Sequence, residues 1–265
     1  MKQSAPTRYD CSPTSFTGLP DLSPRAQARS SCSILSAALF WVSIGTLHAE
    51  PTLIFSDDFN REEVSSEREE VGNGWTTNTQ RRAPGKRQAV LREGALQLAT
   101  DPAAKHAVVV FHETSFSDGM LELRFKRPTD GTLGVAFSDP QCETVHAGHL
   151  CLLRLRPDAL TLTDLKTGSA DLGILARLKE GKRDAALDTL LKAKTKSFPL
   201  LLAEDQWHTL RLHLVGETMT AFVDGTEVGS ITSPGVGHSP KRVLEISNNK
   251  PVLVDDVRIW SLPKS

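Results

Sequence analysis

The stretch 206–231, QWHTLRLHLVGETMTAFVDGTEVGSI, constrains the fold more than any other part of this chain. Leu210, Leu212 and Leu214 recur at every second position, with His208 on their side and Thr209, Arg211 and His213 on the other. That is the alternation of a half-buried antiparallel strand. A turn at Val215-Gly216-Glu217 leads to a second alternating run, Met219, Ala221 and Val223. Asp224-Gly225 then predicts a tight hairpin, because Gly accepts positive φ without steric cost and Asp tolerates it. The return strand carries Glu227, Val228 and Ile231.

The same pattern recurs along the chain. Val90-Leu91 and Leu96/Leu98 flank a Glu93-Gly94 turn, and residues 107–111 form a continuous apolar run suited to a buried strand. Leu121, Leu123 and Phe125 alternate with Glu122 and Arg124. Leu153 and Leu155 alternate with Arg154 and Arg156, and Leu160 and Leu162 with Thr161 and Thr163. Short strands at this spacing, punctuated by Gly, Pro and Asp, predict an all-β antiparallel sandwich of two sheets. One segment departs from it. Residues 174–196, ILARLKEGKRDAALDTLLKAKTK, lack Pro and place Leu187, Leu190 and Leu191 on one helical face. Gly181 is expected to divide them into two short helices, inserted between strands at about 172–197. A net charge of −1 offers no basic field, which argues against a nucleic-acid partner.

The phrase from Trp207-His208 through Asp224-Gly225 resembles the concanavalin A-like (laminin-G-like) jelly roll. Residues 54–61, IFSDDFNR, look like its opening strand, and residues 253–260, LVDDVRIW, like its closing strand. Within that group, DDFNR, Gly74-Trp75, Trp207, Asp224-Gly225 and DDVRIW are together most similar to bacterial secreted 3-keto-disaccharide hydrolase domains. The resemblance implies a carbohydrate ligand outside the cytoplasm. It brings no catalytic residue with it, because the family's Asn-Ser-Gly element and following Arg are replaced here by residues 131–137, GTLGVAF, ahead of His146-Ala-Gly-His149.

Residues 1–49 read as a leader and signal peptide. Arg25 and Arg29 precede an apolar run at 34–47, and Leu47-His48-Ala49 offers a small-residue cleavage site before Glu50. The run is shorter than the roughly twenty apolar residues that a membrane helix needs, so no span is expected after cleavage; an uncleaved anchor is the alternative. An exported (periplasmic or extracellular) jelly-roll domain at 50–265 is the expectation. Export removes Cys11 and Cys32 and leaves Cys142 and Cys151. In an oxidising compartment these two are expected to bridge, closing a short loop for roughly 2–3 kcal/mol; two unpaired thiols, with Cys151 lying in a strand, are the alternative.

Ligand chemistry is sought on the face opposite the leucines. Alternation assigns Glu122, Arg124, Arg154, Arg156, Thr161, Thr163, Arg211 and His213 to an outward face, and His146 and His149 to a loop at its rim. From these, Glu122, Arg124, His146, His149, Arg154, Arg211 and His213 are the candidate ligand-binding residues. Arg and His donors would favour acidic or oxidised sugars. A merely solvated sheet face is the alternative reading. No E-x-D-x-x-E pair suited to glycoside hydrolysis occurs, nor a G-x-S-x-G elbow, nor H-E-x-x-H. Resemblance further suggests that the first and last strands pair, so that Asp58 and Asp256 could offer oxygen ligands to Ca²⁺; the alternative is that they cap strand ends or pair with Arg61 and Arg258. Three functions stay open: a glycan-binding module, a glycoside hydrolase acting on (3-keto-)disaccharides, and a structural or protein-binding laminin-G-like module.

Overall fold

A computed structural model of the chain describes residues 50–263. The leader, its cleavage site, Cys11 and Cys32 lie outside the described residues. Among those described, no helix is long and apolar enough to cross a membrane.

The strands form two antiparallel sheets. Sheet A runs in the order β13 (Thr226–Thr232), β12 (Thr218–Val223), β11 (His208–Val215), β6 (Gly119–Lys126), β15 (Val252–Ser261), β4 (Ala95–Leu98) and β3 (Ala89–Arg92). The opening strand β1 (Thr52–Asp57) pairs with the far half of β15, joining the two ends of the domain. Sheet B runs β10 (Thr195–Pro199), β9 (Ala159–Asp164), β8 (His149–Leu155), β7 (Leu133–Ser138), β14 (Lys241–Asn248), β5 (Val109–Phe116) and β2 (Thr76–Thr77). Three short helices interrupt them: α1 (Thr79–Arg82), α2 (Leu172–Lys179) and α3 (Ala185–Ala193).

The expected turns form as the residues dictate. Asp224 and Gly225 have φ of 50° and 79°, and Glu93 and Gly94 have 54° and 73°. Two successive positive φ values give the turn whose twist matches its flanking strands. α2 and α3 are capped by Asp171 and Asp184, whose carboxylates accept from Ile174 N at 2.9 Å and Leu187 N at 2.8 Å. Gly181, at φ 69°, lies between them. The insertion returns to strand at Thr195, earlier than expected, because Lys196 and Phe198 pair with Leu162 and Leu160 of β9.

One hydrophobic core fills the space between the sheets. β6 contributes Leu121, Leu123 and Phe125, and β11 contributes Leu210, Leu212 and Leu214. From sheet B come Leu133, Val135 and Phe137 of β7, Leu153 and Leu155 of β8, and Leu244 and Ile246 of β14. At roughly 25 cal/mol per Å² of apolar area removed from water, this alternation dominates stability.

The DDFNR and Gly74-Trp75 motifs lock the corner where β1 ends. Asp57 is buried, and its carboxylate accepts from Phe59 N (2.8 Å), Arg61 Nη1 (2.6 Å) and Nη2 (2.9 Å), and Trp75 Nε1 (2.8 Å). Burial alone would push this carboxyl up; the bonds from Arg61, Phe59, Asn73 and Trp75 outweigh it and hold it below the usual carboxylate range.

Candidate functional site

Alternation correctly separates core from solvent, but the expected single polar face is two faces on opposite sides of the sandwich. Glu122, Arg124, Arg211 and His213 belong to β6 and β11 of sheet A, whereas His149 and Arg154 belong to β8 of sheet B, with His146 in the turn before it. Period two tells inward from outward and says nothing about which sheet a strand joins.

The charged residues of sheet A named above are paired among themselves, whereas His213 Nε2 is buried without a hydrogen-bond partner. Glu122 accepts from Arg211 Nε at 2.8 Å and lies 3.7 Å from Arg258. Arg124 lies 3.3 Å from Asp255 and 3.4 Å from Asp256, and its guanidinium sits 4.8 Å from the centre of the Trp207 ring. His213 packs against Phe222, and burial followed by the Arg211 charge keeps its imidazole pKa low. Hydrogen-bonding capacity already spent within a face is not available to a ligand.

Asp58 and Asp256, expected as calcium ligands, do line one cleft of about 320 Å³. Arg61 and Arg258 line it as well. Arg258 donates to Asp256 at 2.8 Å, and Asp58 caps its own turn by accepting from Asn60 N at 3.1 Å. Ca²⁺ requires six to eight oxygens. Among the described residues, no group of three or more His, Cys, Asp and Glu is arranged to hold a metal ion. Two guanidiniums already supply the positive charge here, so the donor set does not fit calcium.

The expected Cys142–Cys151 bridge is not formed; both thiols are free. The β7–β8 register shifts between Phe137, opposite Cys151, and Ser138, opposite His149. This irregularity breaks the alternation, so His149 faces outward while Cys151 turns into the core. Burial raises the Cys151 thiol to about 11. Cys142 stays in the loop, its Sγ 3.4 Å from Thr144 Oγ1.

Sheet B carries the open site. Across its outer face, Arg154, Gly134 and Ser247 form one cross-strand row. Leu152, Ala136, Glu245, Phe111 and Thr76 form the next, and His149, Ser138, Val243 and Glu113 the third. β7 contributes only small residues, Gly134, Ala136 and Ser138, so the centre of the face is low. Taller side chains stand on either side: Phe111 and Glu113 from β5, His149 and Arg154 from β8. At the Ser138 end of this face lies a cleft of about 300 Å³ lined by Thr76, Phe111, Glu113, Ser138, Val243 and Glu245, with Pro140 and Ala147 closing one end.

The loop 139–148 shapes that end. Asp139 N donates to Gly148 O at 2.9 Å, and Gly148 has φ 72°. A Cβ there would lie 2.4 Å from Asp139 O, so only glycine allows the loop to close. Beside the cleft, His149 Nδ1 lies 3.5 Å from Glu245 Oε1. The hydrogen bond to Glu245 pushes the imidazole pKa up, and burial opposes it in part. Arg154 is exposed, and Arg156 is the charged group acting on it.

Glu113, Glu245 and Phe111 were not among the residues singled out from sequence. Their alternation within VVFHET and VLEIS was readable, but their convergence depends on β5 pairing with β14, more than a hundred residues on. The arrangement supplies hydroxyl-binding carboxylates, one ring face, and a histidine able to hold or release a proton.

Neither a family model nor a curated protein matches the sequence. Solved structures do match in shape. The laminarinase catalytic domain from Thermotoga maritima is 12% identical, with a TM-score of 0.51 over 81% of this chain and 100% of that one. Porphyranase B from Zobellia galactanivorans is 12% identical, with a TM-score of 0.52 over 80% and 93%. The endo-β-1,3-glucanase from Pyrococcus furiosus is 16% identical, with a TM-score of 0.50 over 81% and 96%. The chain is an all-β jelly-roll sandwich of two antiparallel sheets, as these structures are.

Proposed function

We propose that this chain is an exported carbohydrate-binding module whose ligand lies across the outer face of sheet B. The observation that carries the reading is the cleft itself, which brings the Phe111 ring together with the carboxylates of Glu113 and Glu245 and the hydroxyls of Thr76 and Ser138. Sugars are recognised by paired hydrogen bonds to hydroxyls and by a ring face against their C–H surface, and the cleft offers both. The neighbouring folds, named for glucan-degrading and porphyran-degrading enzymes, support a carbohydrate as the class to test. Residues 1–49 would direct the chain out of the cytoplasm.

Screening the protein on a glycan array, followed by titration calorimetry with the tightest glycan, tests the reading. Phe111→Ala and Glu245→Gln should each weaken binding about tenfold or more, as expected for a lost aromatic contact or charged hydrogen bond. Binding unchanged in both variants would overturn it.

Hydrolysis is the second reading, and one observation favours it. Glu113 and Glu245 lie on adjacent strands in diagonal register, Glu113 opposite Val243 and Glu245 opposite Phe111. Diagonal cross-strand neighbours stand roughly 7–8 Å apart. That separation suits two carboxylates flanking a water for inverting hydrolysis, about 6.5–9.5 Å, better than a retaining pair at about 5 Å. An activity screen on chromogenic glycosides and 3-keto-disaccharides decides it: turnover lost in Glu113→Gln and Glu245→Gln supports hydrolysis, and none from the wild type rejects it.

A further inference from the structure

A second cleft of about 280 Å³ adjoins the first and shares Glu113, Pro140 and Val243 with it. It is lined in addition by Thr114, Gln141 and Arg242. Together the two make one groove across the end of sheet B, and Arg242 stands at the far end.

Arg242 owes that position to an irregularity. The β14–β5 register shifts between Lys241 and Val243. Lys241 is buried, donating to Ser117 O and His238 O, whereas Val243 faces the groove. The residue between them is re-aimed toward the sheet's outer rim, a common consequence of such a shift. Asp139 then fixes the guanidinium from behind. Its Oδ1 lies 3.1 Å from Arg242 Nε and accepts from Gln141 N at 2.9 Å, and its Oδ2 lies 2.8 Å from His238 Nε2. Asp139 is itself only 4% exposed. The 3.1 Å contact with Asp139 is an ion pair; Nε itself is buried without a hydrogen-bond partner, and Arg242 lines the groove. A planar guanidinium fork with unspent donors matches a carboxylate or sulfate better than a hydroxyl. Glu113, at the junction of the two clefts, would repel such an anion and accept from sugar hydroxyls instead, which confines the charged group to the Arg242 end.

We infer that the groove takes an oligosaccharide carrying an anionic substituent, a carboxylate or sulfate group, which Arg242 binds at the far end. This rests on the proposed glycan-binding face and adds to it a ligand class and a residue.

Calorimetry of the wild type with three oligosaccharides of equal length, one neutral, one uronate-bearing and one sulfated, tests the inference. At least one acidic ligand should bind roughly tenfold to a hundredfold more tightly than the neutral one, the span of a lost charged hydrogen bond. Arg242→Gln should erase that difference. Arg242→Lys, which keeps the charge but not the fork, should restore only part of it. Equal binding of neutral and acidic ligands, or a preference that survives in Arg242→Gln, would overturn the inference with the binding face intact. Inorganic sulfate binding as tightly as the sulfated oligosaccharide would also overturn it, because the sugar would then contribute nothing. Failure of all three oligosaccharides to bind would remove the binding face and the inference together.

Discussion

Replacing Asp57 should cost far more stability than replacing its exposed neighbour Asp58. Its side chain is 1% exposed, and it accepts four hydrogen bonds, two of them from Arg61. Asp57→Ala strands the Trp75 N–H in the core and leaves Arg61, itself 30% exposed, without its counter-charge. Removing one partner of a buried pair costs about 3–5 kcal/mol. Arg61 keeps its bonds to Val71 O and some access to water, which places the expected loss in the lower half of that range. For a domain of this size the melting temperature should fall by roughly 6–15 °C. Asp57→Asn keeps an acceptor of the same shape and loses only the charge, so its cost should be about 1.5–3 kcal/mol. The sign of the pH dependence follows from the folded carboxyl lying below its usual range. The stability it contributes is present above the unfolded value and is lost as pH falls through the folded one. Wild type should therefore lose stability more steeply in acid than Asp57→Asn. Urea unfolding followed by tryptophan fluorescence measures both effects. A loss under about 1 kcal/mol for Asp57→Ala, or parallel acid limbs for wild type and Asp57→Asn, would refute the reasoning.

Arg124→Ala, on the opposite sheet and already paired, should leave glycan binding unchanged, and calorimetry checks it. NMR titration should find His149 above the usual imidazole range and Glu245→Gln should bring it down; since the folded value is raised, its contribution to stability is fully present below the unfolded pKa and lost as pH rises through the folded one. Thiol titration of the unreduced protein truncated at Glu50 should find Cys142 reactive in the native state and Cys151 only after unfolding; an absence of free thiol in the unfolded chain would restore the bridge. Mass spectrometry of the exported protein should find Glu50 as its first residue, and full-length protein retained in the cytoplasm would reject export.

The strands, their inward faces and the two-residue turns were readable because each depends on neighbours close in sequence. Leu121/Leu123/Phe125 and Leu210/Leu212/Leu214 need only period two, and Asp224-Gly225 only its own φ preferences. Sheet membership was not readable: β6 and β8 show the same alternation, yet β6 pairs with β11 and β15 while β8 pairs with β7 and β9. Glu122 and Arg154 therefore looked like neighbours and are on opposite faces. The irregularity between β7 and β8 leaves Cys151 in the inward phase of Leu153 and Leu155 and turns His149 out of it. DDFNR was rightly singled out, but its buried hub is Asp57 rather than Asp58. Arg242 escaped notice because its direction follows from a register shift against a strand more than a hundred residues away.

The most direct test of a sheet B binding face is a crystal structure of the protein with the tightest glycan from the array. The sugar should lie across β5, β14 and β7, against Phe111 and within hydrogen-bond distance of Glu245. A glycan seated instead on β6 and β11, beside Arg124 and Arg211, would contradict it.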